Sequence, residues 1–507
     1  MSIFARMTER EQQLHDENAQ LRRENELLRQ KVDALIRRLF ASKSEALNPD
    51  QLQLLLAELT GTEPGPAVAS AAEPPAEAVP ARQPARPRHL RLPADLPVVE
   101  EVLDPEPVRA CPAAWRCIGQ EVSEQLDYTP GRFLRRRLVR RKYVRHADPD
   151  QVPVIAPLPP KVVERGWLAP GLLAHVVTSK YADHLPLYRQ EWIYRQRHGV
   201  ELPRQTLCRG VRQVAEWLQP IVREMSAAQF AGGYVQVDET PIRYLQPGAG
   251  HAPQGYLWTT HVPGGDTVYH WHAGRGHQCL EQIVPRGFAG VLQCDGYSAY
   301  RTFAGKRRGI TLAGCWAHVR RKFYEAWELR DHVEQSGWVV ERISRLYRIE
   351  EQLRQSRAGP EQRCDRRRAE SRPIVAEIHQ GLLQYKTRRA LLPQSLLGKA
   401  VDYALGQWPT LELWLADGRL EIDNNLVENA IRPTAVGKKN WLFFGGEEPG
   451  WVSAAAFSVI TSCRNRGLNP QAYLKAVLER LPSMTNHQVP DITPAAWAAA
   501  ATHAAAA

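Results

Sequence analysis

From Gly233 the chain leaves helical periodicity for alternation, and this switch constrains its fold more than any other feature. GYVQVDETPIRYL, GYLWTTHV, DTVYHWHA and GVLQCDGYSAY read as four short strands punctuated by Gly and Pro. A long helical region follows, from about 319 to 415, and the chain then returns to a compact, motif-rich segment around Glu421 to Gly446. Strands interrupted by a long helical run predict a mixed α/β domain carrying a helical insertion.

Three acids stand out by context. Asp238 ends the strand Tyr234–Val237, with Val235 and Val237 on one face and Gln236 and Asp238 on the other. Asp295 ends the strand Gly290–Cys294. Glu428 lies in DNNLVENAIRP, read as a short helix that Asp423 or Asn424 caps and Pro433 closes. On that helix Asn424, Glu428 and Arg432 share one row, while Leu426 with Ala430 and Val427 with Ile431 form an apolar stripe. Phosphodiester cleavage needs a nucleophile activated near neutral pH and a leaving oxygen whose charge is neutralised. Two divalent ions about 4 Å apart do both, and carboxylates are their natural hard ligands. A single Asp at a strand end is more often a turn former, so the argument rests on the three contexts together.

Upstream, Met7, Leu14, Leu21, Leu28 and Leu35 recur every seven residues, with Glu11, Asn18, Asn25, Val32 and Leu39 on the partner seam. This is the pattern of a leucine zipper over 7–60, implying a homodimer or higher oligomer, and Asn at an a position favours in-register pairing. A lone amphipathic helix packed on the body is the alternative. Residues 61–108 are rich in Pro, Ala and Glu, then Pro and Arg, and read as a disordered linker.

A basic module spans 109–150. It carries Arg135, Arg136, Arg140, Arg141 and Lys142 interleaved with Phe133, Leu138, Val139 and Tyr143. Such a surface suits phosphates, although a solvated basic face is the bland alternative. Helical patterns run from about Pro170 to Tyr181, Leu187 to Arg197 and Pro203 to Met225, with Gly199 between the last two. Residues 165–225 fit a helix-turn-helix or a plain helical hairpin equally well.

The net charge of +11 over 507 residues favours a polyanionic partner. The eight scattered cysteines are not a secreted disulfide framework. No apolar run is long enough for a membrane span, and the polar N-terminus lacks a signal-peptide core. A reducing cytoplasm is the expected location.

Several longer motifs add to these readings: IGQEVSEQLDYTPGRF, LLAHVVTSKYADHLPLYRQ, VDETP, CDGYSAY, GCWAHVRRKF, IDNNLVENAIRP, GKKNWLFFGG and SCRNRGLNPQAYLKAVLERLP. With the N-terminal zipper, they make the chain resemble transposases of the insertion sequence 66 family over nearly its whole length. The resemblance implies an RNase H-like DDE catalytic core over 230–446 with its insertion at about 319–415, followed by a C-terminal helical segment at 447–485; the tail at 486–507, nearly all Ala from Pro494, is read as disordered. It implies Asp238, Asp295 and Glu428 as catalytic acids holding two Mg²⁺ ions, with Mn²⁺ able to substitute. The implied partners are double-stranded DNA, as element ends and target, and accessory transposition proteins. The implied location is the nucleoid of a bacterial cytoplasm.

GCWAHVRRKF contributes Cys315 and His318, a C-x-x-H pair without a second pair at zinc spacing. By analogy with related DDE transposases, His318 is read as a catalytic-site residue that orients DNA from outside the metal ligands. Arg320, Arg321 and Lys322 on the same helix, and Arg432, Lys438 and Lys439 beyond Glu428, are candidate phosphate contacts; a solvated helix face is the alternative for the first three. One feature departs from the family pattern of two C-x-x-C zinc pairs: CPAAWRC separates Cys111 from Cys117 by five residues, and the second pair is replaced by Arg145-His146-Ala147-Asp148. This spacing argues against zinc in the module.

Overall fold

The alternating segment becomes the sheet at the centre of the molecule. In the computed structural model the described residues are 131–133, 142–143, 154–155, 160–162, 168–387 and 392–506, all within one unit, Thr129–Ala507. The zipper, the linker and most of the basic module lie outside them, including Arg135, Arg136, Arg140, Arg141, Cys111, Cys117 and 145–148. Of the module's strand, β1 (Lys142–Tyr143) pairs antiparallel with β2 (Val154–Ile155).

Three helices precede the sheet: α1 (Pro170–Tyr181), α2 (Leu187–His198) and α3 (Arg204–Ala231). Pro170 opens α1, where its missing N–H costs nothing. Gly199 ends α2 at φ 63°, a conformation that suits glycine. Helix α3 runs past Met225, because Leu207, Val211, Val214, Leu218, Ile221, Val222 and Met225 keep one helical stripe buried throughout.

The main sheet contains β3 (Tyr234–Tyr244), β4 (Gln254–His261), β5 (Thr267–His272), β6 (Gly290–Gln293) and β7 (Ile310–Ala313), in the order β5-β4-β3-β6-β7. The first three are antiparallel, whereas β6 and β7 run parallel to β3. The connections after β5 and β6 carry α4 (His277–Ile283) and α5 (Ser298–Lys306). Val235, Val237, Leu292, Leu280, Ile283 and Phe303 form one buried cluster on that side. Leu257, Val268 and Tyr269 join the larger core built with α1, α3 and the C-terminal helices.

Asp238 does not end its strand. β3 continues six residues beyond it, with Asp238 opposite Thr259. Pairing with β6, however, stops at Gln236–Gln293, and β8 (Phe443–Phe444) joins the same strand only at Arg243. Between them β3 has β4 as its one strand neighbour, and Pro241 sits in this one-sided stretch, where a missing N–H is tolerated. β7 and β8 are too short, at 4 and 2 residues, to register as alternation.

The insertion comprises α6 (Trp316–Glu328), α7 (Val333–Gln355), α8 (Pro360–Arg366), a π-helical turn (Arg367–Ser371), α9 (Arg372–Thr387), α10 (Leu396–Gly406) and α11 (Trp408–Leu411). It buries Val339, Ile343, Leu346, Ile378, Leu382, Val401 and Trp414 in a core that Tyr234 and Ala313 of the sheet also join. After it come α12 (Asn425–Trp441), α13 (Pro449–Asn465) and α14 (Pro470–Arg480). Ser458 and Ser462 of α13 accept hydrogen bonds from the backbone N–H groups of Tyr269 and Thr267 on β5.

The tail is ordered where the sequence predicted disorder. A 3₁₀ turn at Asn486–Ile492 buries Val489 and Ile492, and α15 (Pro494–Ala506) follows with Trp497 against Tyr473. An alanine run has the highest helix propensity of any residue type, and these apolar anchors dock it. No helix of the described residues is long and apolar enough to cross a membrane.

Candidate active site

The site forms where the parallel pair β3–β6 comes apart. Gln236 and Gln293 face each other in register, each two residues before an aspartate and so on the same strand face as Asp238 and Asp295. Both glutamines are fully buried, and a buried amide is tolerable only when satisfied. Gln236 Nε2 donates to Gln293 Oε1 at 2.9 Å and to the Asp423 carbonyl at 2.9 Å, while its Oε1 accepts from Val427 N–H at 3.2 Å. Gln293 Nε2 donates to the Gly314 and Glu421 carbonyls at 3.2 and 2.8 Å. Tyr234 O–H donates to Gln293 Oε1, and its oxygen accepts from Glu421 N–H at 3.1 Å. This network ties the segment 421–427, and with it Glu428, to the two aspartate strands. Sequence reasoning missed its purpose; the available signal was a polar residue two places before each Asp in otherwise apolar strands.

Glu428 sits in the first turn of α12. The helix buries Val427, Ala430 and Ile431 as the apolar pattern predicted, but Leu426 is 40% exposed. Asp423, rather than Asn424, takes the capping role: its carboxylate accepts from Asn425 N–H at 3.0 Å and from Tyr347 O–H at 2.6 Å. Pro433 does not close the helix, which continues to Trp441. Proline at 433 removes the helical hydrogen bond to the Asn429 carbonyl, while the neighbouring carbonyls of Ala430 and Ile431 accept from the Tyr269 and Thr434 hydroxyls.

Burial pushes Asp238 well above its ordinary 3.8, and the charges of Glu239, Glu428 and Asp295 push it the same way, while a backbone N–H opposes them. Asp238 therefore lies in the field of both other sequence-predicted acids. Asp295 accepts from Tyr297 N–H at 2.9 Å, which fixes the turn after β6. Glu428 faces an imidazole and a guanidinium, with His318 Nδ1 3.6 Å from Oε1 and Arg321 3.7 Å from Oε2. A cluster of oxygen donors with excess negative charge is the donor set that a hard divalent cation relieves.

Glu239, also absent from the sequence reading, supports the same turn. Its buried carboxylate receives Arg275 at 2.6 Å and the Tyr300 hydroxyl, and Arg275 lies 3.9 Å from the Tyr297 ring. Burial raises the Glu239 pKa against these two hydrogen bonds. Among the other predicted residues, Arg432 and Lys439 are exposed. Arg320 stacks on Tyr324, Lys322 lies 4.7 Å over the Tyr403 ring, and Lys438 donates to the Pro241 carbonyl at 3.3 Å. Lys142 is described only as part of β1. The site thus gathers Asp238, Asp295, Glu428, His318 and Arg321.

The central pairing of the mixed sheet stops two residues before two aspartates, a helix beyond a long insertion carries a third acid, and the family model matched over this region is a DDE-type transposase domain. Comparison with known proteins makes the class specific. Residues 165–450 match the model described as Transposase IS66 family, residues 458–494 the IS66 C-terminal element, and residues 27–100 a model described as Transposase C of IS166 homeodomain. The chain belongs to the IS66 transposase family. Similar proteins include two from Sinorhizobium fredii: the uncharacterized protein y4jD, 34% identical over 97% of this chain and 99% of that protein, and the uncharacterized protein y4qI, 35% identical over 76% of this chain and 73% of that protein. Proteins of this family act on DNA, and DDE domains generally use divalent metal ions.

Proposed function

We propose that the chain is an active DNA transposase whose RNase H-like core cleaves phosphodiesters at element ends and joins them to target DNA. The strand order and directions support that fold name, since three antiparallel strands are extended by two parallel ones. What supports the reading is that Asp238 lies beside the point where β3–β6 pairing stops and feels the charges of Asp295 and Glu428, while the Gln236–Gln293 network ties the Glu428 helix to both aspartate strands.

In this reading Asp238, Asp295 and Glu428 hold two Mg²⁺ ions, for which Mn²⁺ substitutes. Bound there, such ions make the nucleophile reactive at neutral pH and neutralise the leaving oxygen. Water attacks a phosphodiester at the element end and releases a 3′-hydroxyl, which then attacks target DNA in line. Arg321 and His318 flank Glu428 and orient the phosphate. Arg320, Arg432 and Lys439 contact the backbone beyond the reacting centre, with Lys322 and Lys438 in a supporting role. The basic module's Arg135, Arg136, Arg140, Arg141 and Lys142 add affinity, and the zipper pairs two chains so that both element ends are held.

The test is nicking of DNA carrying the element's ends. Cleavage that needs Mg²⁺ or Mn²⁺, and that is lost in Asp238→Asn, Asp295→Asn and Glu428→Gln, is the expected result. DNA binding without metal-dependent nicking in the unaltered chain would instead mark it as a catalytically retired regulator.

A further inference from the structure

The C-x-x-H pair at the start of α6 lacks a second pair in the sequence, but the fold supplies a third ligand from elsewhere. Cys315 is the N-cap of α6 and His318 lies in its first turn. Glu428 reaches them from α12. A ligand atom from each of the three lies within 4.8 Å of the other two. His318 Nδ1 and Glu428 Oε1 are 3.6 Å apart, too far for a hydrogen bond and close to the separation of two ligands around a tetrahedral ion with bonds of about 2 Å. Both atoms are shielded from solvent and have no hydrogen-bond partner. Cys315 is buried, which pushes its thiol well above the ordinary range, and the backbone N–H groups of Asn424 and His318 directed at its sulfur only partly oppose this, so a bound cation has to displace the thiol proton.

We propose that Cys315, His318 and Glu428 form a binding site for one thiophilic divalent cation of the zinc class. Sulfur and imidazole donors select against Mg²⁺ and for Zn²⁺ or Co²⁺. Three protein ligands leave the fourth tetrahedral position open to water or a DNA oxygen. Binding displaces the Cys315 proton to solvent as the sulfur–metal bond forms. Because Glu428 is also one of the three acids proposed for catalysis, a zinc-class ion held here withdraws that carboxylate from the Mg²⁺ set and inhibits cleavage. The inhibition rests on the proposed catalytic function; the binding does not.

The experiment uses the full chain carrying Cys111→Ser and Cys117→Ser, which removes the N-terminal thiols as a source of signal. The protein is stripped with chelator and titrated with Co²⁺ in the absence of DNA. The expected result is a thiolate-to-cobalt charge-transfer band saturating at one ion per chain and displaced by Zn²⁺. Cys315→Ser should abolish the band. His318→Ala, at a more exposed position, should weaken Co²⁺ binding at least tenfold while far-UV circular dichroism stays unchanged. Absence of the band, or a band that survives both substitutions, overturns the proposal. A band in a protein that never nicks DNA upholds this site and overturns the catalytic reading alone.

Discussion

Gln236 does more for this site than its neutral side chain suggests. It spans from β3 to the α12 N-terminus through the Asp423 carbonyl and the Val427 N–H. Gln236→Leu removes both partners in a dry interior, and each orphaned backbone group costs about 1–3 kcal/mol. We expect a stability loss of that order in denaturant titrations, with nicking reduced because Glu428 is no longer held against the sheet. Full activity in this variant would refute the positioning argument. Asp238 has the opposite balance. Its raised pKa means that the folded protein binds this proton more tightly than the unfolded chain, so metal-free stability falls as pH rises above 3.8 and through the raised value. Asp238→Asn should remove that slope, stabilise the metal-free protein near neutral pH, and cost about three orders of magnitude or more in cleavage, as loss of one member of a cooperating set does. Thermal melts across pH, with and without Mg²⁺, check the first part; a wild-type melt insensitive to Mg²⁺ would contradict it. The candidate acids were legible because each stands beside a recognisable strand or helix signal. The glutamines were not, because their partners lie far away along the chain, Gln236 and Asp423 being 187 residues apart.

At the scale of elements, a buried arginine helps to hold the insertion against the segment that leads to Glu428, beside the Arg363–Glu421 and Tyr347–Asp423 contacts. Arg367 is fully buried and pairs with Glu350 through two hydrogen bonds of 2.7 Å. It also donates to the carbonyls of Trp414, Asp417 and Leu420, immediately before the Asp423 turn. Arg367→Met leaves Glu350 desolvated beside Arg363 alone and frees three carbonyls; removing one partner of a buried pair costs about 3–5 kcal/mol. The measurement is the denaturation midpoint, and an unchanged midpoint would show that the pair contributes nothing. Burial alone would raise the Glu350 pKa, but Arg367 and Arg363 outweigh it and hold it below 4.5. Its contribution is therefore present above that value and is lost as pH falls through the lowered one, so the destabilisation by Arg367→Met should shrink in acid. Element boundaries were readable where caps announced them, as at Pro170 and Gly199. They were misread at Pro433, which sits inside a helix that continues to Trp441, with the neighbouring Ala430 carbonyl accepting a tertiary hydrogen bond from Tyr269 and Ile431 a local one from Thr434.

For the whole molecule, the segments proposed for assembly and DNA affinity lie largely outside the described residues. Deleting residues 7–40 should lower the oligomeric mass in light scattering, because the leucine seam is the one extended heptad in the chain; an unchanged mass would sink the zipper. Neutralising Arg135, Arg136, Arg140 and Arg141 together should weaken DNA binding and flatten its salt dependence by about 0.9 per lost phosphate contact. Lower affinity at an unchanged slope would make those arginines structural. The sequence by itself determined the α/β class, the long helical run after the strands, the helices at 170–198 and the family, and it singled out the three candidate acids, because periodicity, caps and long motifs are local properties of the chain. Tertiary structure decided where the sheet opens, that α12 runs through Pro433, that the alanine-rich tail docks as a helix, and that Cys315 and His318 gain Glu428 as a third neighbour. Those outcomes depend on which strand pairing ends first and on buried polar groups finding partners more than a hundred residues away, and no local pattern records either.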